Sequence, residues 1–204
     1  MAEALGAVVV AIAGPSGGGK TTLVQHLAAL LGNATPVYFD DYAAISTYPA
    51  DLRAWLAAGA DPNQWQTPRL AADVRTLRAG APVLHPDGTT TLQPARYVVL
   101  EEPFGRERRE MARAIDVVVV IDLPLEIALA RRLRRTISHG RAQGTAEQLL
   151  QHLDDYLAAY LDWGATLYRE VNRRARQSCD LVVDGTQPPE DLARQIAATV
   201  RRSP

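Results

Sequence analysis

Five runs of apolar residues punctuate the chain: Ala7–Ala13 (AVVVAIA), Pro36–Phe39 (PVYF), Tyr97–Glu101 (YVVLE), Asp116–Asp122 (DVVVVID) and Asp180–Gly185 (DLVVDG). Their hydrophobicity is continuous rather than alternating, the pattern of strands buried on both faces of a parallel sheet. Between them, apolar residues recur at helical spacing. A first helix is predicted from Lys20 to the stop signal Gly32-Asn33. A second is predicted after Pro124, with Leu125, Ala128, Leu129 and Leu133 on one face. A long third covers about Thr145 to Arg173, with Leu149, Leu153, Tyr156, Tyr160, Leu167 and Val171 in phase, and a last covers Pro189 to Arg201. Strands alternating with helices predict an α/β fold with right-handed crossovers. The stretch from Tyr42 to Arg96 breaks the alternation. It is rich in Pro and Gly, holds two of the three tryptophans, and is expected to form an insertion over the carboxyl edge of the sheet.

Composition adds limits more than leads. With 204 residues the chain can bury a sizeable core. A net charge of −1 gives no global attraction to nucleic acid or anionic lipid. The single cysteine, Cys179, excludes an intramolecular disulfide and a Cys-rich zinc site. The first residues carry an acid where a secretory signal would carry positive charge, and no apolar run reaches a membrane span. These features lead to the expectation of a cytoplasmic protein without nucleic-acid or membrane partners.

The chemistry begins at GPSGGGKTTL, which follows the first apolar run. Gly14, Gly19, Lys20 and Thr21 complete the pattern G-x-x-x-x-G-K-[ST], between a predicted strand and a predicted helix. Glycines let successive backbone N–H groups converge on an anion, and the helix N-terminus adds partial positive charge. Gly14, Ser16, Gly17, Gly18, Gly19, Lys20, Thr21 and Thr22 are therefore the expected phosphate-binding residues, with the Thr21 hydroxyl on Mg²⁺. Two acidic pairs follow at strand ends: Asp40-Asp41 after the second and Glu101-Glu102 after the third. Ligands of open α/β sheets lie at the carboxyl ends of strands, so both pairs are expected to face the crevice that holds Lys20.

These motifs resemble the uridine kinase and nicotinamide riboside kinase family of P-loop phosphotransferases. That family's D-[SD]-[FY] motif falls on Asp40, Asp41 and Tyr42, and its apolar strand ending in Glu-Gly falls on Val98, Val99, Leu100 and Glu101, with Glu102 in place of the Gly. The resemblance implies a three-layer P-loop kinase fold in one domain over residues 1–204. It has a five-stranded parallel sheet in the order 2-3-1-4-5, helices on both faces and an Arg-rich lid at 131–145. It also implies ATP and Mg²⁺ as cofactors and a small-molecule hydroxyl, first of all a nucleoside or riboside, as acceptor. Asp40 becomes the base facing that hydroxyl and a possible metal contact. Glu101 positions Mg²⁺ with Thr21, and DGTQPPED (Asp184–Asp191) lies beside the adenine.

The run RRLRRTISHGR supplies Arg131, Arg132, Arg134, Arg135 and Arg141. A cationic lid neutralises charge on a moving phosphoryl group, whereas any single arginine here could equally sit on a solvated helix face. Arg131 and Arg135 share a face, HGR (His139–Arg141) resembles the end of the family's lid, and Thr136 replaces its Asp. Arg135 is the expected catalytic arginine, and Arg131 and Arg141 the nucleotide contacts.

Toward the acceptor the candidates are Asp41, Tyr42, Trp65, His85 and Asp87. His85 and Asp87, in VLHPDG, belong either to an acceptor site or to a hairpin turn, for which Pro-Asp-Gly is a signal. Trp65 either stacks on a ring or packs, and His26 and His152 are read as structural. A GTPase reading lacks the N-K-x-D segment, since the fourth strand ends IDLP, and no second ATPase domain supports a transport ATPase. The alternatives kept are a kinase for a sugar, pantothenate-like or antibiotic alcohol, and a non-catalytic nucleotide-binding module. Homo-oligomerisation is left open.

Overall fold

The structure is a computed structural model. It describes residues 6–143 and 145–202, and of residues 141–143 only the backbone. The strands are β1 (Val8–Ala13), β2 (Ala34–Val37), β3 (Val83–Leu84), β4 (Thr91–Leu92), β5 (Tyr97–Glu101), β6 (Val117–Asp122) and β7 (Leu181–Asp184). The helices are α1 (Lys20–Leu31), α2 (Leu52–Ala57), α3 (Pro68–Arg78), α4 (Arg109–Ala112), α5 (Leu125–Gln143), α6 (Ala146–Ala159), α7 (Ala165–Gln177) and α8 (Pro189–Val200).

Five strands form one sheet in the order β2-β5-β1-β6-β7, all parallel. Counted without β3 and β4, this is the order 2-3-1-4-5. The small difference is the antiparallel pair β3–β4, which stands outside the main sheet. Side-chain alternation explains why the central strands are apolar throughout. Val9, Ala11 and Ala13 pack on one face with α3 and α7 residues such as Leu70, Leu77 and Ala175. Val10 and Ile12 pack on the other with Leu23 and Leu27 of α1 and Ile196 of α8. The result is a three-layer α/β core. No helix among the described residues is long and apolar enough to cross a membrane.

Local sequence sets most boundaries. Gly19, at φ +91°, opens α1, and the Gly32 N–H closes it on the Ala28 carbonyl. Thr145 and Gln148 form a reciprocal capping box that starts α6. Two expectations need correction. The second strand runs over Ala34–Val37, two residues earlier than PVYF, and Asp40 and Asp41 lie in a 3-10 turn (Phe39–Ile45) rather than at a strand end. Pro36 is tolerated because β2 is an edge strand, so no partner beyond β5 needs its missing N–H. The predicted long helix is interrupted by a π turn at Tyr160–Gly164, which divides α6 from α7.

Segment 42–96 folds into α2, a 3-10 turn at Pro62–Gln64, α3 and the β3–β4 pair. Trp55 and Trp65 of this segment meet Phe104, which follows β5, edge to face or tilted, at centroid distances of 5.6 to 6.4 Å. This aromatic cluster joins the segment to Leu167 and Val171 of α7.

Candidate active site

β1 delivers its carboxyl end straight into the glycine-rich loop, and α1 starts at Lys20. Gly17 has φ +82°, and a Cβ there would stand 2.2 Å from the Ala128 carbonyl oxygen of α5. Both the angle and the space admit only glycine. A Cβ at Gly19 would face open space. The mouth of the loop is therefore clear for an anion.

Ser16, Gly17, Gly19, Lys20, Thr21, Thr22, Asp40, Glu101, Arg131, Arg132 and Arg135 line one cleft of about 240 Å³. Glu101 is its organising acid. It accepts a hydrogen bond from the Thr21 hydroxyl at 3.0 Å and lies 3.5 Å from the Lys20 ammonium. Lys20 also donates to the Pro15 carbonyl at 3.2 Å. An ammonium that attracts phosphate, and a hydroxyl and a carboxylate whose oxygens can ligate a hard cation, are thus held together at the head of the loop. This set suits a Mg²⁺-bound triphosphate, because Mg²⁺ takes hard oxygen ligands, few of them from protein. Gly14 and Gly18 shape the loop from behind. Gly14 packs on Ile121, and the Gly18 N–H donates to the Pro15 carbonyl.

Each acidic pair is split. Glu101 faces the cleft. Glu102 points away from it, fully buried against Arg108. Asp40 lines the cleft, whereas Asp41 accepts a hydrogen bond from His85 Nε2 at 3.0 Å on the far side. The expectation that all four acids share the crevice is therefore wrong, and the reason is geometric. Neighbouring residues of an extended or tightly turned chain project in different directions. Burial raises the Glu102 carboxyl above its ordinary value, with Arg108 pulling the other way.

The acceptor-side candidates fall into two places. Asp41, Tyr42, His85 and Asp87 line a separate hollow of about 190 Å³ between β2 and the β3–β4 pair. Asp87 does what a turn acid does. Its carboxylate accepts from the Thr89 and Thr90 N–H groups at 2.7 and 2.9 Å, which lowers its pKa far below the usual value. Tyr42 is a core residue whose hydroxyl donates to Asp73 at 3.0 Å. Burial first and Asp73 second push its phenol well above the ordinary range. Trp65 lies in the aromatic cluster, 4.9 Å from the ring of Tyr48, and its buried Nε1 meets no hydrogen-bond partner among the described residues.

No family model matches the chain. It is similar to a uridine kinase of Deinococcus deserti, with 29% identity over 95% of each chain. A uridine kinase of Chlamydia pneumoniae is 23% identical over 87% of this chain and 82% of its own. Among solved structures, a gluconokinase from Sinorhizobium meliloti 1021 superposes with a TM-score of 0.52 at 16% identity, covering 98% of this chain and 94% of its own, a likeness of fold. These likenesses support a P-loop small-molecule kinase family, uridine kinase-like in character.

In this uridine kinase-like chain the arginines ride on one helix, α5, rather than on a loop. Both terminal nitrogens of Arg131 donate to the Gly185 carbonyl at 3.2 Å. That contact closes a second hollow of about 230 Å³ beside the loop, lined in part by Gly185 and Gln187. Arg135 borders both the phosphate cleft and an open groove between α5 and α6. The Arg141 side chain lies outside the described residues. Sequence reasoning passed over Arg132, which bonds the Ser16 hydroxyl and stands 4.8 Å over the Tyr156 ring. Its spacing offered a signal: Arg132 and Arg135 are i, i+3 neighbours.

Proposed function

We infer that this chain is an ATP- and Mg²⁺-dependent kinase that phosphorylates a hydroxyl group of a small molecule, with a nucleoside or riboside as the first acceptor to test. The observation that carries this is the cleft itself. Asp40, Glu101, Lys20, Thr21 and three arginines converge there from four separate stretches of sequence. In this reading residues 1–204 work as one kinase domain, with 42–96 on the acceptor side and 131–145 as the lid.

Bound Mg²⁺ supplies charge neutralisation and alignment of the triphosphate oxygens. The loop N–H groups and Lys20 bind the phosphates. Thr21 and Glu101 hold the metal, and Asp40 stands as the base that takes the acceptor proton. Arg132 and Arg135 face the transferred group, while the hollow beside Gly185 receives the base of the nucleotide. The split of the acidic pairs supports this division, because it leaves one carboxylate for the metal and one for the proton.

The test is a screen of ADP formation from Mg²⁺-ATP against nucleosides, sugars and vitamin alcohols, together with thermal melting. Mg²⁺-ATP should raise the melting temperature by linkage, and one acceptor class should drive ADP release. A melting shift with no acceptor-dependent turnover favours the nucleotide-binding module. No shift at millimolar Mg²⁺-ATP overturns both readings.

A further inference from the structure

A fully buried charged pair lies outside the cleft. Arg108 is wholly buried, and so is its partner Glu102. The Arg108 Nε donates to Glu102 Oε1 at 3.1 Å and its Nη2 to Glu102 Oε2, a two-point pair. The Glu102 carboxylate also accepts from the Phe104 N–H at 3.2 Å. Arg108 Nη1 then donates to the Trp65 carbonyl at 2.7 Å, and to Thr67 Oγ1 and Glu110 Oε1 at 2.8 Å each. The guanidinium lies over the Phe39 ring, 5.3 Å from its centroid. Every nitrogen of the fork is engaged, and none is left for a substrate.

Sequence position gives these contacts their meaning. Glu102 is the neighbour of Glu101, and Phe39 is the neighbour of Asp40. Arg108 therefore grips the residue beside each of the two cleft carboxylates. Stability alone does not explain such a group, because a buried ion pair roughly matches well-packed apolar residues of the same size. A planar fork with fixed donor directions does something apolar packing cannot: it sets the relative position of the segments it holds.

We propose that Arg108, paired with Glu102, is a positioning residue that fixes where Asp40 stands relative to Glu101. It acts on the acceptor proton and the metal through Phe39 and Glu102. This rests on the kinase reading above, in which those two carboxylates divide the chemistry. Small misplacements of reacting groups cost about 10²-fold in rate, so the effect belongs in kcat.

The test uses the full chain and the best acceptor from the screen. Glu102→Leu combined with Arg108→Met removes both charges together, so neither is left buried alone. The double variant leaves the Trp65 carbonyl, the Thr67 hydroxyl and the Phe104 N–H without these partners, so its melting temperature should fall. Assayed well below that temperature, it should still bind Mg²⁺-ATP within about threefold by calorimetry, since the phosphate loop is untouched. Its kcat should fall by about tenfold or more, and amide exchange should quicken in the 39–45 turn but not in α8. Phe39→Leu, which keeps the ion pair and removes the ring beneath it, gives the second arm should the double variant fail to fold. It should lower kcat while leaving the KM for ATP unchanged. Wild-type kcat in the folded double variant, or in Phe39→Leu, overturns the proposal and leaves the kinase reading standing. A wild-type chain inactive on every acceptor overturns the kinase reading and this inference with it.

Discussion

The phosphate-loop cleft, proposed above as the nucleotide side, and the hollow proposed as the acceptor side are built by different rules. On the nucleotide side, Ser16 to Thr22 form one unbroken stretch, and the cleft gathers around it. Phosphate binding uses backbone N–H groups and a helix terminus, so a short motif carries nearly all of it. On the acceptor side, Asp41, Tyr42, His85 and Asp87 border one hollow while Trp65 belongs to an aromatic cluster elsewhere. The lining of that hollow is assembled from loops and short elements distant in sequence. The contrast teaches that a motif reports what is local, and that a specificity site is a product of packing.

The largest expected effect tests the nucleotide side. Lys20→Ala should lower transfer by about 10³-fold, the scale for losing a preorganised electrostatic contact, with little change in melting temperature. A mere tenfold loss would mean that Lys20 serves Glu101 rather than phosphate. Next, Asp40→Asn should lose about 10²-fold or more in kcat with ATP affinity kept, as for a general base. Asp41→Asn, one residue away but turned toward His85, should lose less than about tenfold. Equal losses would erase the boundary between the two sides. Glu101→Gln should raise the Mg²⁺ needed for half-maximal turnover by about tenfold, the lower range for disturbing a metal's supporting groups. An unchanged Mg²⁺ titration would remove Glu101 from the metal.

Smaller effects belong to the acceptor side. Tyr42→Phe deletes the hydroxyl that meets Asp73 and should cost about 1 kcal/mol of stability in urea unfolding. Asp73 keeps Arg69 at 2.8 Å, so a much larger loss would show that Tyr42 does more than pack. The smallest is a pH effect. Contacts from Thr90 and Thr89 hold Asp87 below its ordinary value of 3.8. A lowered folded-state pKa makes its contribution present above that value and lost as pH falls through the depressed one. Acidification from about pH 5 to pH 2 should loosen the Thr89 and Thr90 amides in exchange measurements, and Asp87→Asn should abolish that dependence.

Much of the fold was legible because buried parallel strands and amphipathic helices write themselves as runs and periods. Helix starts such as Lys20 and Pro189 follow from those signals, whereas the sheet order came only with the family resemblance. The second strand was misplaced because the apolar run PVYF continues past the strand into a 3-10 turn, and hydrophobicity does not distinguish a pleat from a tight turn. The break at Tyr160–Gly164 left no trace, since a π turn needs no Gly or Pro signature and apolar spacing persists across it. In the site, the expectation that Glu101 and Asp40 reach the cleft of Lys20 matches the geometry, although Asp40 arrives there from a 3-10 turn and not from a strand end. Glu102 and Asp41 were misread because composition cannot say which way a side chain turns. Arg108 was invisible: a buried arginine in GRERRE looks like one more surface charge until its partners are known.

The glycine at position 17 carries a last lesson. The loop pattern leaves that position free, yet here a single methyl group would collide with the first turn of α5 at the Ala128 carbonyl. Constraint at that point comes from the helix that bears the arginines, not from any ligand. The two pieces are therefore not interchangeable modules. A loop borrowed from a relative with a larger residue there would need a differently seated α5, so loop and helix must be inherited, or redesigned, as one unit.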